Sequence, residues 1–180
     1  WAINASLPSG LSFGTNNGTI YGTPTELWTQ TSYMVWANNS GGSSTTTITI
    51  VVNDVAPSGL VYNIENMSLI KNQAMTPNTA IVNGAITSWE ISPSLPTGLS
   101  FGSSNGTIWG TPTVVQLTPI TYTVWANNTG GSVSVSVNIT IADDLASFSY
   151  PNSPYTIVRG YNMSDITPTV TSGTVVSWGI

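Results

Sequence analysis

The sequence predicts an all-β fold of tandem β-sandwich repeats, each about 90 residues long. Three observations predict it. The chain repeats itself in order at a spacing of 88 to 89 residues. Apolar and polar residues alternate with the two-residue period of half-buried strands. No stretch carries the 3.6-residue apolar stripe of an amphipathic helix.

The repeat is read directly from the residues. Positions 1–13 (WAINASLPSGLSF) recur at 89–101 (WEISPSLPTGLSF), and 18–25 (GTIYGTPT) recur at 106–113 (GTIWGTPT), both 88 apart. Positions 33–39 (YMVWANN) recur at 122–128 (YTVWANN), 89 apart, so one residue is inserted between. Tyr62 answers to Tyr150, Lys71 to Arg159, and 84–89 to 173–178. Such a period suits one sandwich domain and is too long for one turn of a solenoid.

Within the repeat, Trp89 falls on a strand near 86–91 and is a candidate core anchor. Leu-Pro-x-Gly-Leu at 95–99 takes the chain through a turn and sets Leu99 and Phe101 inward. Residues 99–102 and 107–110 form a hairpin around 103–106, where Gly106 supplies a positive φ. Gly110-Thr-Pro112 ends that strand, because proline cannot donate to a ladder. Residues 120–127 pair with a strand that sets Val133, Val135, Val137, Ile139 and Ile141 on one face and Ser132, Ser134, Ser136, Asn138 and Thr140 on the other. Asn128-Thr-Gly-Gly131 makes the turn between them.

The repeats are out of phase with the ends. Residues 55–144 read as a complete repeat, 1–54 as the C-terminal part of a preceding one, and 145–180 as the N-terminal part of a following one. Residues 1–54 need a partner segment to bury their inner face. One continuous longer polypeptide is the favoured source. Strand donation between neighbouring copies of the chain is the alternative. The chain starts with Trp and shows no signal peptide, so it is expected to be a processed or partial piece of something longer.

Composition narrows function. Charged residues make up 5% of the chain, against about 25% in ordinary proteins, and the net charge is −5. Lys71 and Arg159 are the only cations, which excludes the basic patches that nucleic-acid binding needs. There is no cysteine, hence neither a disulfide framework nor a thiolate metal site. Apolar runs fall far short of the roughly 20 residues of a membrane helix. The absence of histidine removes the usual triads and metal sites, and no pair of carboxylates is singled out by spacing. An enzyme is not expected.

The strings LPTGLSF (95–101), NGTIWGTP (105–112) and YTVWANN (122–128), in that order, resemble the immunoglobulin-like repeats of bacterial and archaeal surface proteins. Those repeats are similar to the cadherin-like domain of dystroglycan. The resemblance covers nearly the whole chain. It implies an extracellular sandwich used as a spacer, adhesive module or assembly subunit, and it implies no reaction.

Four sets of residues are candidates for function. Asn4, Asn17, Asn38, Asn66, Asn105, Asn127, Asn138 and Asn162 are glycosylation sequons. Asn17, Asn105, Asn38 and Asn127 are placed at hairpin turns, and Asn138 on an outward face; plain turn asparagine is the other reading. Tyr21, Trp36, Trp109 and Trp125 are expected to face outward as contact surfaces toward a neighbouring repeat or copy, with carbohydrate stacking second. Asp54, Asp143 and Asp144, helped by Glu65 or Glu90, are weak calcium candidates at the junctions, since calcium takes about six to eight oxygens; no other cofactor is expected. Lys71 could in principle cross-link to an asparagine, but Arg159 at the equivalent place cannot, so a capping cation is the better reading. The leading expectation is a structural or assembly component of a prokaryotic surface: filament, sheath, surface layer or stalk. The alternative is an adhesin that recognises glycan or protein.

Overall fold

The computed structural model describes residues 1–151, 153–177 and 179. Its regular structure is entirely strand. The first group comprises β1 (Ala2–Ile3), β2 (Leu11–Phe13), β3 (Ile20–Gly22), β4 (Trp28–Asn39) and β5 (Gly42–Val52). The second comprises β6 (Ser58–Tyr62), β7 (Asn66–Ile70), β8 (Ala80–Asn83), β9 (Ser88–Ser92), β10 (Leu99–Phe101), β11 (Ile108–Gly110), β12 (Gln116–Asn128) and β13 (Gly131–Ala142). The third is β14 (Ser147–Ser149) with β15 (Thr169–Ser172).

The second group is an immunoglobulin-like sandwich. One layer is a four-stranded sheet in the order β7-β13-β12-β9. The pairs β6-β8 and β10-β11 supply the side chains that cover it, and a bridge between Asn78 and Ile108 joins those two pairs. Alternation fixes the faces. On β12, Tyr122, Val124 and Ala126 point into the core while Thr123, Trp125 and Asn127 point out. On β13, Val137, Ile139 and Ile141 are buried against them. Leu60, Tyr62, Met67, Trp89 and Ile108 close the core from the other strands. A one-residue slip of β12 would exchange these faces, so burial fixes the register.

Tyr62 and Asn78 place polar groups in the core, and both are bonded. Tyr62 donates its hydroxyl to the carbonyl of Gly106, and burial pushes that hydroxyl far above its ordinary pKa. Asn78 accepts from the Ile64 amide at 3.2 Å and donates to the Ile64 carbonyl at 2.7 Å, fastening the β6–β7 connection to the start of β8. Both satisfy the rule that buried polar groups need partners.

The first group repeats part of this plan. β1-β4-β5 form a sheet in the register of β9-β12-β13, and β2-β3 match β10-β11. Tyr33 and Val35 are buried in it, at the places of Tyr122 and Val124. The third group repeats the pairing of β6 with β8. Trp178, the sequence counterpart of Trp89, lies outside the described residues.

Candidate functional site

The outer face of the four-stranded sheet is built from three strands in register. Trp125 of β12 stands between Glu90 of β9 and Ser134 of β13. One pair up, Asn127 stands between Ser88 and Ser132; one pair down, Thr123 stands between Ser92 and Ser136. The result is a three-by-three patch with one half-buried indole at its centre and eight polar side chains around it. The Asn127 amide donates to Glu90 Oε1 at 3.2 Å and to Ser88 Oγ at 3.4 Å, which holds the carboxylate beside the ring. A shallow open depression of about 480 Å³ lies here, lined by Trp125, Glu90, Asn127 and three serines. Glu90 sits on this face and not at a junction.

The first group carries a plainer version. Trp36 is half-buried on the outer face of β4, between Ala2 and Thr45. Ala2 replaces Glu90 and Met34 replaces Thr123. Tyr21 and Trp109 are exposed on the β2-β3 and β10-β11 hairpins. The four aromatic candidates therefore all turn away from the core, but they lie on four separate sheets.

A larger cavity of about 780 Å³ lies in the third group, among Tyr155, Ile157, Val158 and Met163. Tyr155 and Ile157 occupy the sequence places of Met67 and Leu69, which face the core in the second group. The cavity is an inner face of that repeat and has the chemistry of a core.

The sequons separate by what their amides do. At Asn17 and Asn105 the side-chain oxygen accepts from the amide two residues on, Thr19 or Thr107, both at 3.1 Å. That turn uses Oδ1 and does not need Nδ2, the atom a glycan would join. Asn38 and Asn127 are not in turns, contrary to expectation. They lie in β4 and β12 opposite Ser43 and Ser132, because the hairpins stay paired for one more residue, to Asn39↔Gly42 and Asn128↔Gly131. The turns begin at the second asparagine of each pair. Asn138 and Asn66, 72 residues apart, are brought together by the parallel pairing of β13 with β7: Asn138 Nδ2 donates to Asn66 Oδ1 at 2.9 Å. Asn4 follows β1 and accepts from the Met34 amide at 3.0 Å. Asn162 is exposed and outside any strand.

The junction acids have local partners. The Asp54 amide donates to Thr129 Oγ1 at 2.9 Å, and that hydroxyl donates to Asp54 Oδ2 at 3.1 Å. Asn128 Nδ2 reaches the Val55 carbonyl at 2.7 Å. The β12–β13 turn thus cradles the linker that follows β5, and Gly130 is closed against it: a Cβ there would lie 2.0 Å from the Asp54 carbonyl oxygen. At the other end Lys71 Nζ is 3.6 Å from Asp143 Oδ1. A hydrogen bond from Thr174, with smaller help from the Asp144 amide and Lys71, holds the Asp143 carboxyl below its ordinary pKa. Asp144 Oδ1 accepts from the Leu145 amide at 2.9 Å. Glu65 contributes a backbone carbonyl to Asn138. Among the described residues, no three Asp or Glu side chains gather as a metal site. Sequence reading missed the linker cradle and the place of Glu90; the repeated Asn-x-Gly-Gly after Trp-Ala-Asn was the available signal for the first.

The chain is similar to known proteins. The chain is 38% identical over 124 residues to a serine-rich adhesin for platelets of Staphylococcus aureus, a match that covers 64% of this chain and 5% of the adhesin. The protein of that name from strain MRSA252 is 37% identical over 124 residues, covering 64% of the chain and 9% of the relative. The chain thus spans only a small part of the relatives it matches. Among solved structures, Drosophila OTK extracellular domains 3–5 align over 77% of this chain and 48% of that one, at 19% identity and a TM-score of 0.40. Human CDH23 EC21-23 aligns over 89% and 61%, at 15% identity and a TM-score of 0.38. The family model described as Putative Ig domain matches residues 2–53 and 56–142, one match for each of two successive repeats. The chain belongs to the Putative Ig domain family.

Proposed function

We propose that this chain is part of a cell-surface adhesin, with its immunoglobulin-like repeats standing outside the cell as adhesive and spacing modules. The observation that carries the reading is the similarity over 124 residues to proteins named as serine-rich adhesins for platelets. It favours adhesion over the filament, sheath or surface-layer role that the sequence put first. The partner is a surface molecule of another cell or a neighbouring repeat, and the chain catalyses no reaction. Its poverty of charge suits a surface made soluble by Ser, Thr and Asn, and by any glycan its sequons carry.

One observation keeps the structural reading as second. The hydrogen-bonded cradle between the 128–131 turn and the 54–56 linker fixes one repeat on the next, as a stalk requires. The test is retention of beads coated with the chain on a panel of cell surfaces, with negative-stain microscopy of the same material. Saturable retention without regular polymers supports the adhesin. Regular polymers that retain no cells overturn it in favour of a structural component.

A further inference from the structure

We infer that the outer sheet face centred on Trp125 is a binding site for neutral carbohydrate. The inference deepens the adhesin reading and rests on it for its biological setting. The argument starts from the composition of the patch. A single indole sits among side chains that are all hydrogen-bonding and mostly short: serines, a threonine, an amide and a carboxylate. An apolar peptide or helix would need several neighbouring apolar anchors, and this face offers one. A phosphorylated, sulfated or carboxylated ligand would need a cation. Lys71 is committed to the Asp143 junction, Arg159 lies in the third group, and the charge on this face is the carboxylate of Glu90.

A pyranose matches what is left. Its C–H face carries small positive partial charge, and the indole face carries the negative lobe of the ring quadrupole. Its equatorial hydroxyls point sideways, to where the polar ring of the patch stands. Glu90 is the strongest acceptor there, since hydrogen bonds to an ionised group are the strong ones. Asn127 already orients one of its oxygens through Oε1, which cuts the ordering cost on binding. The face is rigid because its backbone lies in the paired core strands β9, β12 and β13. The molecule also holds its own comparison: Trp36 has the same place in the first group but lacks the carboxylate, so it should bind sugars much more weakly.

The test is titration of the whole chain with methyl α-mannoside, methyl β-galactoside, maltose and cellobiose, followed through the Trp125 indole N–H by NMR. Choline and arginine run in parallel, because an indole beside a carboxylate could instead take a cation. The expected result is saturable perturbation of Trp125 by at least one sugar. Trp125→Ser should abolish it, Glu90→Gln should weaken it at least tenfold, and Trp36→Ser should leave it unchanged. Glu90 is exposed, so Glu90→Gln keeps the test valid if Trp125→Ser fails to fold. No response to any of the four sugars overturns the proposal, as does a response to choline or arginine alone, or sugar binding that survives Glu90→Gln undiminished. The two readings fail separately. A chain that retains cells but shows no response of Trp125 to any sugar sinks the sugar site and spares the adhesin. Sugar binding by a chain that retains no cells does the reverse.

Discussion

The ring of Trp89 lies directly against Gly106: a Cβ on Gly106 would stand 2.5 Å from Cε3 of the indole. The same contact joins Trp1 and Gly18, where the separation would be 2.6 Å. Gly106 also has φ +69°, and its carbonyl receives the Tyr62 hydroxyl. Gly106→Ala should therefore destabilise the complete repeat by about 3 kcal/mol, from left-handed strain and overpacking together. Its Tm should fall by about 4–8 °C for each kcal/mol. A melting curve that matches the parent would show that Trp89 yields freely.

Two tyrosines at equivalent places should respond differently to loss of the hydroxyl. Tyr122 donates to Gln116 Oε1 at 3.3 Å, and Gln116 Nε2 donates to the Ile139 carbonyl at 2.8 Å. In the first group Trp28 takes the place of Gln116 opposite β5, and the buried Tyr33 hydroxyl has no partner among the described residues. Tyr122→Phe should cost about 1 kcal/mol, whereas Tyr33→Phe should be neutral or slightly stabilising. Denaturant titration of the two variants compares them directly.

Gly130→Ala should uncouple the first group from the second while leaving the complete sandwich folded. The added methyl meets the Asp54 carbonyl and pushes the linker out of its cradle. NMR relaxation should then report two tumbling times where the parent reports one. Thr129→Ala removes the hydroxyl bonded to Asp54 and should act the same way more mildly, at a cost of about 1 kcal/mol. A single common tumbling time in Gly130→Ala would refute the coupling.

The second junction should depend on pH at the acid end only. The Asp143 carboxyl is held below its ordinary value, so its contribution is fully present above the ordinary aspartate pKa. That contribution is lost as pH falls through the lower folded value, which places the transition below about pH 4. Thr174→Ala should raise the Asp143 midpoint, because that hydrogen bond is the largest cause of the shift. Carboxyl NMR titration measures both. An Asp143 that titrates at the ordinary value in the parent would remove the basis for the prediction.

Much of the sandwich could be read from residue order. The alternation on β13, the Gly106 hairpin and the inward Trp89 all follow from local pattern, because strand faces and tight turns are set by neighbours in sequence. Partners across long separations could not be read that way. Glu90 reaches Trp125 only through the register of β9 on β12, and Asn66 reaches Asn138 only through a parallel pairing 72 residues distant. Lys71 meets Asp143 by the same crossing. The misplacement of Asn38 and Asn127 has a local cause: either asparagine of a pair can open a turn, and what decides is which one presents Oδ1 to the glycine amides. Asn128 does so, receiving Gly130 and Gly131 at 2.8 and 3.1 Å.

The cradle around Gly130 has a consequence for length. A hairpin that joins two strands of one repeat also sets the angle at which the preceding repeat leaves. Insertion of a residue in that turn would leave the sandwich intact and tilt everything upstream. In any longer run of such repeats the tilts would accumulate, and the pitch would rest on the four residues 128–131.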